Sequence, residues 1–573
     1  MRKLLVYMKP YRKECVLGPL FKLLEAAFEL FVPLVMAAVI DRGIAQGDAP
    51  FVWRMGGVLL GLAAVGLTCS ITAQYFAARA AVGFCARLRH ALLEHIQSLS
   101  FAVRDGLGSS TMITRLTSDI NQVQSGVNLT LRLFLRSPFI VFGAMIMAFT
   151  VDAASAWIFV IAIPLLSAVV FGIMLWTMPL YKKAQAGLDR VLGVVRENLT
   201  GVRVIRAFNQ EENEAARFGA DNGSLTRLQL FVGRIAAAMN PLTYVILNAA
   251  LIALIWSGAW RVEGGFITQG AVVALVNYMS QILVELIKLA NLIINMTRSL
   301  ACAGRIAGVL ETEPGMAGGT SEGPADAEAL VAFEDVAVTY PGAGAPSLEG
   351  VSFRANRGET VGIIGPTGCG KSTLVNLIPR FYEATAGRVL VKGVNVKNYD
   401  LQKLRARIGV VPQKAQLFKG TVAENLRWGR ENATEEELIA ALKTAQAWEF
   451  IETREGGLNA PVEQNGRNFS GGQRQRLTIA RALVRRPDIL ILDDSASALD
   501  LATDARLRAA LRELPDRPAV FVVSQRAASL MHADRIIVLD DGKVAGVGTH
   551  AQLLESCPMY REIYHSQFPK EAA

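Results

Sequence analysis

Apolar residues along this chain fall into two regimes. Between residues 14 and 300 they come in long runs. The segments 16–40, 53–79, 129–151, 156–180, 236–260 and 268–297 each have the length and apolarity of a membrane-spanning helix. The connections alternate in size: Asp41 to Ala49, Val151 to Ser155 and Trp260 to Thr268 are short, whereas 80–128 and 181–235 are long, polar and patterned with a helical period. Beyond residue 330 the pattern changes. Short β-patterned runs (Ala332–Thr339, Glu359–Ile364, Arg388–Lys392, Ile489–Leu492, Ala519–Val523 and Arg535–Leu539) alternate with helical ones, which predicts a mixed sheet with helices packed on it. Between the regimes, Glu311–Ala327 is rich in Pro, Gly, Ser and Glu and lacks the apolar surface to fold. The expected organisation is a six-helix transmembrane domain over 1–310, a linker over 311–330 and an α/β domain over 331–573.

Composition agrees with that division. A chain of 573 residues is too long for one core. With 52% hydrophobic and only 19% charged residues it is too apolar for an ordinary soluble enzyme. The net charge of +9 raises nucleic acid as a partner, yet no aromatic-basic binding motif appears. The cations gather instead in the two long connections: Arg79, Arg87, Arg89, Arg104 and Arg115 in the first, Lys182, Lys183, Arg190, Arg196, Arg203 and Arg206 in the second. The positive-inside bias then places these connections, the N-terminus and the C-terminal half in the cytosol, with the lipid bilayer as the partner of the spans and no nucleic acid. The turns near Ser109–Arg115 and Gly201–Phe208 are expected to dock on the cytosolic domain. Six cysteines without a Cys-x-x-Cys pair point to a reducing compartment and no zinc site. Lys9, Arg12 and Lys13 interrupt the first apolar run, so the start reads as an uncleaved cytosolic arm.

The chemistry lies in the second half. Gly365, Pro366, Thr367, Gly368, Cys369, Gly370, Lys371, Ser372 and Thr373 follow the apolar run Val361–Ile364 and open a helix, the context of a phosphate-binding loop. Its glycines let backbone N–H groups turn onto phosphates at the positive end of a helix. In such a loop Lys371 reaches the β- and γ-phosphates and Ser372 ligates Mg²⁺. Ile489–Asp493 is a matching buried strand ending in a carboxylate, and Asp493 completes the Mg²⁺ shell. Ser470-Gly471-Gly472-Gln473 opens a further helix, for which a simple N-cap is the plain alternative.

Taken in order, these motifs resemble the ATP-binding cassette (ABC) exporters of the multidrug-resistance type, in half-transporter layout. Glu197–Phe208 is similar to that family's second cytosolic coupling segment. The resemblance implies an all-α six-helix transmembrane domain plus a cytosolic α/β P-loop ATPase domain, using ATP and Mg²⁺. It implies that Tyr340 stacks on adenine, where a surface tyrosine at a strand end is the alternative. Gln413 would sense the γ-phosphate, ligate Mg²⁺ and contact the membrane domain, and Ser497–Asp500 would address the opposite site. Because ATP is sandwiched between two cassettes in this family, Ser470, Gly471, Gly472 and Gln473 would act on the partner's ATP. The expected activity is ATP-driven export of a small amphipathic molecule, drug- or lipid-like, across a bacterial cytoplasmic membrane.

Two positions depart from the family pattern. Asp494 stands where a glutamate general base is expected, and Gln525 where a γ-phosphate-contacting histidine is expected. Aspartate is one C–C bond shorter, about 1.5 Å. A misplacement of about 1 Å can cost on the order of a hundredfold, and a general base contributes roughly 10²–10⁴. Glutamine can still donate a hydrogen bond but does not titrate near neutral pH. The expectation is a heterodimer in which a second half-transporter chain supplies the glutamate and histidine. Glu463–Arg467 also departs from the family's acidic-glycine pattern. A homodimeric exporter and a nucleotide-gated regulator or channel subunit are the alternatives, and the lack of a long regulatory insertion between the halves favours the exporter.

Ionisable residues within spans are costly and are usually paired or functional. Lys22, Glu25 and Glu29 share one face of the first span; Glu285 and Lys288 lie in the sixth near Asn277 and Gln281; Arg132 and Arg136 open the third. Internal pairing or snorkelling is expected for Lys22 and Arg132, and a cavity-facing role toward amphipathic or cationic cargo for Glu29 and Glu285. Cys369, beside Lys371, reads as a buried inert thiol rather than a reactive one.

Overall fold

The computed structural model describes residues 4–316, 318–321, 329–495 and 497–568. It divides into two units: Met1–Gln97 with Ser110–Thr312, and Ser98–Ser109 with Glu313–Ala573.

The first unit is helical. Among the described residues, six helical stretches are long and apolar enough to cross a membrane: Leu4–Ile44, Ala49–Ser98, Ser109–Val151, Ala153–Thr200, Glu211–Glu263 and Gln269–Glu311. Each contains one of the apolar runs and continues past it. Ala49–Ser98 has 50 residues. At about 1.5 Å per residue that far exceeds a hydrocarbon layer of roughly 30 Å, so the polar excess extends beyond the membrane as helix. The shared core takes Ala26 and Leu30 from the first span, Ala144 from the third, Phe159 and Leu166 from the fourth, Leu254 from the fifth and Tyr278 and Ile282 from the sixth. Fully buried small residues such as Ala26, Ala144 and Ala274 let the helices approach closely. Two polar contacts tie the spans together: Tyr278 Oη donates to Leu30 O at 2.6 Å and Gly270 N–H to Asp41 Oδ1 at 2.8 Å.

Several charged residues of the spans pair with one another. Lys22 bonds Glu25 at 2.5 Å, the internal pairing expected of it. Arg136 joins three helices, reaching Glu285 Oε1 and Glu29 Oε2 at 2.6 Å each. Glu285, 3% exposed, also accepts from Ser137 Oγ at 2.8 Å and Lys288 Nζ at 2.7 Å. This corrects the cationic-cargo expectation for Glu285: its charge is already matched by Arg136 and Lys288. Glu29 keeps a 40% exposed side chain, and with Asn277, Gln281, Glu285 and Lys288 it lines a cavity of about 460 Å³.

The second unit holds strands β1 (Val331–Val338), β2 (Leu348–Ala355), β3 (Thr360–Ile364), β4 (Ala386–Val391), β5 (Val394–Asn395), β6 (Ile408–Val411), β7 (Gly420–Thr421), β8 (Pro461–Val462), β9 (Ile489–Asp493), β10 (Ala519–Val523), β11 (Arg535–Asp540) and β12 (Lys543–Gly548). The central sheet has the order β12-β11-β3-β10-β9-β6, parallel throughout except for β12 at one edge. An antiparallel sheet, β2-β1-β4-β5, lies beside it. β3, β9 and β10 are buried along their length, as parallel strands covered on both faces require. All six expected runs are strands; β2, β6 and β12 and the two-residue strands β5, β7 and β8 are additional.

Two expectations are corrected within this unit. Part of the presumed unfolded linker is paired: Gly319 N–H donates to Tyr399 O at 2.8 Å, Ser321 N–H to Asn398 O at 3.0 Å and Asp400 N–H to Ser321 O at 3.1 Å. The first long connection docks through Ser98–Ser109, just ahead of Ser109–Arg115. Its helix Phe101–Leu107 starts at the Ser100 cap and ends at Gly108, whose φ of 75° suits glycine. Phe101 packs on Phe381 with centroids 4.6 Å apart, Tyr382 Oη donates to Asp105 Oδ2 at 2.7 Å, and Ser100 N–H donates to Pro314 O at 2.8 Å. Gly201–Phe208 contains a short helix, Val202–Ala207, in the membrane unit, with Val204 and Phe208 exposed.

Candidate nucleotide site

The site grows from the C-terminal ends of the parallel strands. β3 runs into the loop 365–370 and then into the helix Lys371–Leu377. Backbone crowding dictates the glycines: a Cβ on Gly365 would lie 2.1 Å from Leu539 O, and one on Gly370 (φ 96°) 2.6 Å from Ser347 O. Lys371 Nζ donates to Gly365 O at 2.9 Å and Pro366 O at 2.6 Å. Its charge is thereby held over the loop.

Ser372 Oγ donates to Asp493 Oδ1 at 3.0 Å, so the two expected Mg²⁺ ligands are brought together from β9 and the loop helix. Burial pushes the Asp493 carboxyl above its usual range; the Ser372 hydrogen bond opposes the rise and the neighbouring Asp494 charge adds to it. Asp494 takes a left-handed backbone, φ 45°, its N–H donating to Val523 O at 3.0 Å. Its Oδ2 accepts from Gln413 Nε2 at 3.3 Å. A hydroxyl, a carboxylate and an amide oxygen are hard donors, and Mg²⁺ bound through few protein ligands together with substrate phosphates fits this set.

Tyr340 Oη lies 3.0 Å from Thr373 Oγ1, and its ring meets that of Tyr382 edge-on at 5.2 Å. These groups enclose a pocket of about 360 Å³, lined by Tyr340, Thr367, Gly368, Gly370, Lys371, Ser372, Thr373, Gln413, Asp493, Asp494 and Gln525, with Ser347, Val523 and Ser524. Gly365, Pro366 and Cys369 belong to the loop but not to this lining, and Cys369 is buried.

The structure does not bring Ser470–Gln473 to this pocket. Ser470 caps the helix Gly471–Val484 in a full capping box: Gln473 N–H donates to Ser470 Oγ at 3.3 Å and Ser470 N–H to Gln473 Oε1 at 2.9 Å. A Cβ on Gly472 would meet Ala498 O at 3.0 Å, so this helix start packs on the Ser497–Asp500 loop. Sequence reasoning missed two residues beside the site. One is Tyr382, which touches both Tyr340 and Asp105. The other is Gln567, whose side chain bonds the loop carrying Gln525. Their partners are distant in sequence, and no local pattern marks either one.

Fold and site together define a membrane-spanning protein with a P-loop nucleotide-binding unit. Residues 15–286 match the family model described as ABC transporter transmembrane region, and residues 348–497 the one described as ABC transporter. An uncharacterized ABC transporter ATP-binding protein of Mycobacterium tuberculosis is 39% identical over 568 residues, covering 98% of this chain and 97% of that protein. An ATP-dependent lipid A-core flippase of Chromobacterium violaceum is 31% identical over 574 residues, covering 100% and 98%. The chain belongs to the ABC transporter family. Its fold is that of a bacterial Atm1-family ABC exporter solved with ATP bound, with a TM-score of 0.79 at 23% identity over 98% of this chain and 99% of that one. It is a multi-pass membrane protein with a cytosolic nucleotide-binding unit, and its ATPase domain couples ATP hydrolysis to transport.

Proposed function

We propose that this chain is the slowly hydrolysing half of a two-chain exporter that moves small amphipathic molecules, drug- or lipid-like, across the cytoplasmic membrane. Gly365–Thr373 holds the ATP phosphates through its backbone N–H groups and the Lys371 ammonium. Ser372, Asp493 and Gln413 hold Mg²⁺, and Tyr340 stacks on adenine. Ser470, Gly471, Gly472 and Gln473 serve the ATP bound by a second half-transporter, which supplies the general-base glutamate and the histidine. Their position outside this chain's own pocket supports that division. The lipid-like class of cargo is supported by a relative named as a lipid A-core flippase.

One observation carries the asymmetry. Asp494 has its backbone tied to Val523 and its carboxylate against Gln413 at 3.3 Å, which supports a carboxylate set back by the missing methylene, and Gln525 lines the same pocket. The purified chain alone is expected to show near-background ATPase activity, and the chain reconstituted with its partner to hydrolyse ATP and accumulate dye in vesicles. Asp494→Glu with Gln525→His in that complex should raise turnover at this site by about 10- to 100-fold. Rapid hydrolysis by the chain alone, abolished by Lys371→Ala, would refute the proposal.

A further inference from the structure

β10 ends at Val523, and the loop that follows carries Gln525 into the nucleotide pocket. The near side of that loop is fixed by the central sheet: Ser524 N–H donates to Ile363 O at 3.1 Å, and Ser524 Oγ accepts from Arg526 N–H at 3.0 Å. Its far side is held by one side chain from the helix Pro558–Gln567. Gln567 Nε2 donates to Gln525 O at 2.7 Å, and Gln567 Oε1 accepts from Ala527 N–H at 2.8 Å.

A carboxamide that serves the C=O of one residue and the N–H two residues on imitates a neighbouring parallel strand. Arg526, between the two bonds, has the extended backbone such pairing needs, φ −95° and ψ 117°. The two bonds hold the peptides on either side of Arg526, the first of which carries the Gln525 carbonyl, so they fix the direction in which the Gln525 side chain leaves the chain. The helix delivering Gln567 is itself anchored. Tyr560 is fully buried with its Oη 2.8 Å from His550 Nδ1, and the Tyr564 ring lies 5.2 Å from that of His550.

We propose that Gln567 is a positioning residue: it latches the loop so that Gln525 faces the terminal phosphate of the bound nucleotide. The C-terminal helix thereby takes part in distinguishing a nucleoside triphosphate from a diphosphate. This rests on reading the pocket as an ATP site. The Gln567 bonds do not depend on the identity of residue 525, because they use only its backbone.

The test is displacement of a fluorescent trinitrophenyl nucleotide from the full-length chain by Mg·ATP and by Mg·ADP. Gln567→Ala should leave ADP affinity essentially unchanged and cut the preference for ATP by about tenfold, the scale of two released neutral hydrogen bonds. Gln525→Ala should do the same, and the double variant should be no worse than either single one, since Gln567 acts through Gln525. Gln567→Glu should resemble the alanine variant at pH 8, where an ionised carboxylate faces the Gln525 carbonyl. An unchanged ATP preference in Gln567→Ala, additive losses in the double variant, or a glutamate variant with the wild-type preference at pH 8 would each overturn the proposal. Unaltered nucleotide binding in Lys371→Ala would instead remove the ATP-site reading beneath it.

Discussion

Arg136 offers the most quantitative test of the membrane unit. It is 7% exposed and makes two hydrogen bonds of 2.6 Å to carboxylates on different helices, Glu29 on the first span and Glu285 on the sixth. Removing one member of a buried pair typically costs about 3–5 kcal/mol, because the other charge is left uncompensated. Glu285 would retain Lys288 at 2.7 Å and Ser137 at 2.8 Å, which lowers the cost. Glu29, with its 40% exposed side chain, adds little. Arg136→Met is therefore expected to destabilise the protein by about 2–3 kcal/mol. Arg136→Met combined with Glu285→Met should recover more than half of that, since Lys288 has a 42% exposed side chain and can be hydrated once unpaired. The assay follows from the structure: Cys69, Cys85 and Cys302 are buried free thiols, so with Cys15, Cys369 and Cys557 replaced by alanine a thiol-reactive fluorogenic maleimide reports thermal opening of the helices. A wild-type melting midpoint in the single variant, or a double variant no more stable than the single one, would refute the reasoning.

Two further outcomes can be measured. Asp488 accepts from Arg357 at 2.8 Å and lies 3.3 Å from Lys392 and 3.4 Å from Arg407. Burial pushes its carboxyl up, but the Arg357 hydrogen bond and the Lys392 charge outweigh it and hold the group below its usual range. The resulting stability is present above the ordinary carboxylate pKa of about 3.9 and is lost as pH falls through the depressed value. Asp488→Asn should thus cost about 1 kcal/mol at pH 7, with the gap to wild type closing under acid in denaturant titrations; a pH-independent gap would contradict this. Tyr382→Phe keeps the ring contacts with Phe101 and Tyr340 but removes the hydrogen bond to Asp105. Nucleotide affinity should hold while cargo stimulation of ATPase activity falls, and an unaltered stimulation ratio would discount the Tyr382–Asp105 bond.

Features legible in the sequence were those encoded locally. The six apolar runs and the Gly365–Thr373 loop after a buried strand needed no tertiary information, and the loop's geometry follows from glycines that alone avoid backbone clashes. β2 escaped because its pairing with β1 is broken by two register shifts, which blur the alternation of its burial. β12 is an edge strand, Lys543–Gly548, with none of its residues buried and so no apolar signature. The docking turn was set a few residues late although its caps, Ser100 and Gly108, were there to be read. Glu285 shows a deeper limit. A carboxylate in a span signals a special environment, but whether it awaits a ligand or already has Arg136 depends on a residue 149 positions away.

The grouping of Ser98–Ser109 with the nucleotide-binding half has a practical corollary. A recombinant cytosolic fragment beginning at Glu313 would lack the peptide whose Phe101 shields Phe381 and whose Asp105 engages Tyr382. Such a fragment would present a bare aromatic surface and tend to self-associate. Supplying residues 98–109 in trans, or grafting them ahead of Glu313, should restore a well-behaved monomer.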